Sequence, residues 1–105
     1  IIQSWFAYMR ANIYFMEQAT YNAAKMADEG KDIRLEAACV KLLCSEKNMW
    51  NVDRALQIFG GDGYSDESEI GRMWRDSRIN EIFEGTNQIQ QLLIFKEVYS
   101  GGGKV

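Results

Sequence analysis

Glu84 is followed by Gly85-Thr86-Asn87-Gln88: a glycine, a hydroxyl side chain and two amides. Thr86 is the natural N-cap of a last helix there. The first backbone N–H groups of a helix have no partner inside it. Those of Gly85, Thr86, Asn87 and Gln88 are therefore expected to point outward, an arrangement that receives an anion. The helix dipole alone accounts for a carboxylate in that place. A chemical reading stands beside it. Phe83 precedes Glu84, and apolar helices must pack nearby. A partly desolvated carboxylate holds its proton to higher pH, which suits a general base.

A second candidate is Gln57-Ile58-Phe59-Gly60-Gly61-Asp62-Gly63-Tyr64. Glycines let a ligand or another backbone approach closely. No strand precedes the segment and the G-x-G-x-x-G spacing is absent, so it is not a dinucleotide fingerprint. Pattern alone reads it as a helix C-cap and turn. The chain has no histidine, which removes Ser-His, Cys-His and His-metal mechanisms; no metal site is expected. Cys39 and Cys44 lie five apart on a helical stretch and point to different faces. They read as small hydrophobes rather than a disulfide, in a reducing setting. Trp5, Trp50 and Trp74 read as core or interface residues, and Arg75, Asp76 and Arg78 as a surface ion-pair cluster.

The elements that must position these residues are helical. The 105 residues suffice for one domain, with 47 % hydrophobic and 12 % aromatic side chains and no proline. A net charge of −3 argues against a broad nucleic-acid-binding surface. A first helix is expected to about residue 29, with Trp5, Met9, Ile13, Met16, Thr20, Ala23 and Ala27 on one face. Phe6, Ala7, Tyr8, Tyr14 and Tyr21 make a second side apolar, so this helix needs more than one neighbour. A second helix is expected from about Asp32 to Phe59. Its seam of Ala38, Leu42, Ser45, Met49, Val52, Leu56 and Phe59 suits an antiparallel partner, for which the tight turn at Gly30 nominates the first helix. A short helix starts near Asp66, where Asp66 and Glu69 resemble a capping box. Arg75–Arg78 reads as a charged turn. The last helix runs from about 86 to 99 with Ile89, Leu92, Leu93 and Tyr99 as its buried face. Residues 1–100 form the domain and 101–105 a flexible tail. No apolar run approaches the roughly 20 residues of a membrane span, and no targeting signal is visible. A chain that starts inside a helix reads as a piece of a longer protein.

Three blocks in register resemble one family. They are Gln57 to Tyr64, Met73-Trp74-Arg75-Asp76-Ser77-Arg78-Ile79, and Ile82-Phe83-Glu84-Gly85-Thr86-Asn87-Gln88-Ile89-Gln90. Their order and intervals resemble the C-terminal helical domain of acyl-CoA dehydrogenases, over nearly the whole chain and most strongly from Ala37 to Phe95. The resemblance implies an all-α, antiparallel four-helix bundle that completes a larger flavoenzyme. It implies FAD as cofactor and oxidation of an acyl-CoA thioester to the trans-2-enoyl-CoA. On it, Glu84 removes the α-proton, and its backbone N–H helps polarise the thioester carbonyl. Gly85 lines the acyl-CoA site, and Thr86 and Gln88 contact FAD. Gln57, Gly60 and Gly61 contact the FAD of a neighbouring subunit. The resemblance further implies N-terminal helical and middle β domains and a homo-oligomer, dimer or tetramer. It implies an electron-transferring flavoprotein as partner, and a bacterial cytoplasm or a mitochondrial matrix as location. The chain departs from the family at Glu67-Ser68-Glu69-Ile70, where Tyr-Pro-Val is common, and at Gln91, where many members carry Arg. Two other readings are a non-catalytic helical oligomerisation module and a related acyl-CoA oxidase. A scaffold has no need of Glu84 in its Gly-Thr context.

Overall fold

Two glycines with positive φ end the two long helices. Helix α1 spans Ile2–Asp28. Beyond it the N–H of Gly30 donates to the carbonyl of Ala27 and that of Lys31 to Met26. This is the double bond of a Schellman stop, and it requires the left-handed φ of +77° that Gly30 adopts. Helix α2, Arg34–Phe59, stops at Gly60, φ +66°. There follow α3, Gly61–Tyr64, a single turn, then α4, Glu69–Ile79, and α5, Asn87–Phe95, which widens into a π-helical turn over Lys96–Ser100. The computed structural model describes residues 1–83 and 85–100; Glu84 and the expected tail 101–105 lie outside the described residues.

The hydrogen bonds fix the topology. Asn12 Nδ2 donates to Asn51 Oδ1 at 2.9 Å, Asn51 Nδ2 to the Met9 carbonyl at 3.2 Å, and the Cys44 thiol faces the Met16 carbonyl at 4.0 Å. Numbers fall on α1 as they rise on α2, so the two are antiparallel. On the other side of α2, Trp74 Nε1 donates to Asp53 at 3.0 Å and Asn48 to Ser77 at 3.1 Å. Lys41 reaches Asn87 at 2.7 Å, and Arg34 faces Glu97 at 3.8 Å. Both α4 and α5 therefore run antiparallel to α2, end to end along its flank. The result is three helical rows, α1, α2 and α4 with α5, elongated to 51 × 25 × 24 Å. Its radius of gyration of 16.2 Å exceeds the about 13 Å of a compact domain of this length.

Several local expectations are corrected. The inner line of α1 is Trp5, Met9, Asn12, Met16, Ala23 and Met26; Ile13, Thr20 and Ala27 are exposed. Asn12 displaces Ile13 because Asn51 stands opposite as its hydrogen-bond partner. Ser45, placed on the seam toward α1, turns to α5 instead. Ser68 rather than Asp66 caps α4, accepting from the Gly71 N–H at 3.0 Å. Arg75–Arg78 lies within α4, and the turn falls after it. The inner face of α5 is Asn87, Gln90, Ile94 and Val98, whereas Ile89, Leu92, Leu93 and Tyr99 are exposed.

That last correction reflects the whole molecule. Among the described residues the buried apolar side chains are Ala23, Ala38 and Val52. Phe6, Tyr8, Tyr14, Phe15 and Tyr21 on α1, and Leu92 and Phe95 on α5, are all more than half exposed. Both outer rows thus carry apolar faces that nothing among the described residues covers. Among the described residues no helix is long and apolar enough to cross a membrane.

Candidate functional site

The break between α4 and α5 falls beside the middle of α2. Asn80 and Glu81 are half-buried, while Ile82 and Phe83 are 46 % and 48 % exposed. Phe83, Asn80, Lys41, Asn48, Met16 and Tyr21 line a largely apolar groove of about 550 Å³ between α1, α2 and this turn. Glu84, the expected base, lies outside the described residues, but both of its neighbours are placed. Gly85 has φ +85°, in the left-handed region.

Thr86 caps α5 as expected, its hydroxyl oxygen accepting from the Ile89 N–H at 3.2 Å. One of the four expected outward amides is not available. The Asn87 N–H donates to the Glu81 carbonyl at 3.1 Å, closing the turn. Among the described residues no acceptor faces the N–H groups of Gly85, Thr86 or Gln88. The positive end of α5 faces this turn, a place that suits a negatively charged group. The side chain of Gln88 is exposed and that of Thr86 half-buried.

Sequence reasoning missed a polar cluster behind this turn. Asn87 is only 4 % exposed. Its Oδ1 accepts from Lys41 Nζ at 2.7 Å and its Nδ2 donates to Ser45 Oγ at 2.9 Å. The Ser45 hydroxyl donates on to the Lys41 carbonyl at 2.7 Å. Gln90, 8 % exposed, donates through Nε2 to the Gly85 carbonyl at 3.4 Å. The available signal was Ser45, a hydroxyl on an otherwise apolar seam, which needs a partner when buried.

The glycine segment stands apart from this turn. From Ser45 to Gly60 is about 22 Å along α2 at the usual helical rise. One chain therefore does not bring Gln57, Gly60 and Gly61 together with Gly85, Thr86 and Gln88. Gln57, Gly60 and Gly61 are exposed. Gly60 is explained by its φ of +66°. Gly61 is not: its φ is ordinary, and an added Cβ meets nothing within 4 Å. The segment leaves room for a group from outside the chain, and Gly63 shows why it is held rigidly there. A Cβ on Gly63 would lie 2.7 Å from the Leu56 carbonyl and 2.9 Å from Phe59 Cβ.

The thiols of Cys39 and Cys44 are both free, and burial, aided by the Glu36 carboxylate, pushes the Cys39 thiol up, away from the reactive thiolate. Among the described residues no cluster of His, Cys, Asp and Glu could hold a metal ion.

Comparison with known proteins places this geometry. The sequence family described as acyl-CoA dehydrogenase, C-terminal domain, matches residues 1–99. Cyclohexane-1-carbonyl-CoA dehydrogenase of Geobacter metallireducens is 42 % identical over 78 residues, 74 % of this chain and 20 % of that protein. The short-chain-specific acyl-CoA dehydrogenase of Megasphaera elsdenii is 39 % identical over 85 residues, 81 % of this chain and 22 % of that protein. The three-dimensional structure of butyryl-CoA dehydrogenase from Megasphaera elsdenii superposes with a TM-score of 0.88 at 36 % identity. That superposition covers 92 % of this chain and 25 % of the other. The chain thus spans about a fifth of the curated relatives' length. It belongs to the acyl-CoA dehydrogenase family and corresponds to its C-terminal helical domain.

Proposed function

We propose that the chain is the C-terminal domain of an FAD-dependent acyl-CoA dehydrogenase in which Glu84 removes the α-proton of an acyl-CoA thioester. The observation that carries this reading is the helix start after residue 84. Gly85 is left-handed, Thr86 caps, and the amides of Gly85, Thr86 and Gln88 find no acceptor among the described residues. Removal of an α-proton from a thioester needs a base held close and a donor for the developing enolate oxygen. Glu84 provides the carboxylate and its own backbone N–H the donor, while Gly85 leaves space for the acyl-CoA.

The residues present fit FAD. The Thr86 hydroxyl spends only its oxygen on the cap, so its proton remains free to donate, and Gln88 offers an exposed amide beside it. Bound FAD supplies the acceptor for the β-hydrogen, which leaves as hydride. Gln57, Gly60 and Gly61 lie too far along α2 to serve the same cofactor copy, and open Gly61 suits the cofactor of a second subunit. The uncovered apolar faces of α1 and α5 suit the remaining domains of a longer chain and a homo-oligomer. An electron-transferring flavoprotein is the proposed acceptor of the electrons.

The test is a visible spectrum of the full-length protein, followed by anaerobic addition of saturated acyl-CoA thioesters. A bound flavin that bleaches supports the dehydrogenase reading. A colourless, fully folded protein refutes it in favour of a non-catalytic oligomerisation module.

A further inference from the structure

Lys41, Ser45 and Asn87 close a ring of hydrogen bonds across two helices. Lys41 Nζ donates to Asn87 Oδ1, Asn87 Nδ2 donates to Ser45 Oγ, and Ser45 Oγ donates back to the Lys41 carbonyl. The direction of the ring is fixed by chemistry. An ammonium group only donates, so the carbonyl end of the Asn87 amide must face Lys41 and the NH2 end must face Ser45. The backbone of Asn87 is held as firmly as its side chain, because its N–H donates to the Glu81 carbonyl. Glu81 and Asn87 are thus tied to each other, and Asn87 is bolted to α2.

Stability alone does not account for Lys41. A cation beside a helix N-terminus opposes the helix dipole. Lys41 is half-buried, and among the described residues no carboxylate pairs with it. Thr86 already caps α5. The ring adds one thing a cap does not: it sets the rotation and height of the first turn of α5 against α2.

We propose that Lys41 and Asn87 are positioning residues, which through this ring hold the loop that carries Glu84 in register with the substrate. The proposal deepens, and rests on, the reading of Glu84 as the base. A base must stand within near-attack distance of the proton it takes, and a shift of about 1 Å costs about 10²-fold in rate. Lys41 and Asn87 act through the backbone of the loop and touch no reacting atom.

The test uses the full-length flavoenzyme and the straight-chain acyl-CoA that bleaches the parent fastest. Lys41→Met keeps the aliphatic stem and removes the donor; Lys41→Arg keeps a donor. Each is made alone and with Glu84→Gln. Stopped-flow gives the flavin reduction rate and the apparent substrate Kd, with flavin content measured alongside. Lys41→Met is expected to slow reduction by about 10- to 100-fold with full flavin and a Kd within about 3-fold of the parent. Lys41→Arg is expected to recover most of that rate. With Glu84→Gln already present, Lys41→Met is expected to add no further loss, since the group being positioned is gone. The proposal is overturned if Lys41→Met reduces flavin at the parental rate, if its loss is the same with Glu84→Gln present, or if it sheds flavin or melts early. Glu84→Gln reducing flavin at the parental rate would instead refute the base assignment itself, so the two failures are distinct.

Discussion

Gln90 stands over Gly85. Its Nε2 donates to the Gly85 carbonyl at 3.4 Å and lies 2.8 Å from the point a Cβ on Gly85 would occupy. The glycine is required by its φ of +85°, whereas the amide above it is the far end of a flexible side chain that a Cβ would push aside. Gly85→Ala is expected to cost about 1–3 kcal/mol and to lower flavin reduction. Thermal melting and stopped-flow on the full-length enzyme check the two effects. An unshifted melting temperature would show that the turn relaxes freely.

The Thr86 hydroxyl oxygen caps α5, and on the proposed reading its proton serves the cofactor. Thr86→Ala is expected to lose about 1 kcal/mol of stability together with flavin affinity, while Thr86→Ser keeps both. Flavin titration of the apoenzyme separates the tasks: if Thr86→Ala destabilises but binds flavin as the parent does, the hydroxyl caps and nothing more.

Gly61 and Gly63 stand two residues apart and differ in kind. Gly63→Ala drives a Cβ into the Leu56 carbonyl and is expected to destabilise by about 1–3 kcal/mol. Gly61→Ala meets nothing within 4 Å among the described residues and is expected to leave stability within about 0.5 kcal/mol. Its cost is expected in flavin content of the assembled oligomer, measured by the ratio of flavin to protein absorbance. Full flavin occupancy in Gly61→Ala would remove Gly61 from the cofactor site.

Much of this was legible in the sequence because periodicity and punctuation are local. Gly30 and Gly60 end the long helices where their types predict, and Thr86 caps α5. What was not legible depends on neighbours. Asn12 replaced Ile13 on the inner face of α1 because Asn51 lies opposite, 39 residues away. Ile89, Leu92 and Leu93 read as the buried face of α5, yet they are exposed, and Asn87 and Gln90 are buried instead. A hydrophobic pattern shows that a face is covered, not which molecule covers it. The ring of Lys41, Ser45 and Asn87 was hidden for the same reason, since Asn87 lies more than 40 residues of sequence from the other two.

The exposed faces predict the behaviour of the 105-residue chain expressed alone. With Phe15, Tyr21, Leu92 and Phe95 all uncovered, it is expected to self-associate and to bind a hydrophobic dye. It is expected to retain no FAD, because on the proposed reading Thr86–Gln88 and Gln57–Gly61 belong to different cofactor sites. Sedimentation as a compact monomer without dye binding contradicts the first expectation, and a yellow preparation with stoichiometric flavin contradicts the second.

The role of Glu84 is tested most directly by stopped-flow flavin reduction in full-length Glu84→Gln with a saturated acyl-CoA. The substitution keeps shape and hydrogen bonding and removes the proposed base. A positioned base contributes roughly 10²- to 10⁴-fold, so reduction is expected to slow by about 10³-fold with flavin content and substrate binding intact. Glu84→Asp is expected to lose less, through shortened reach. Flavin bleaching in Glu84→Gln at the parental rate would place the base elsewhere and contradict the account.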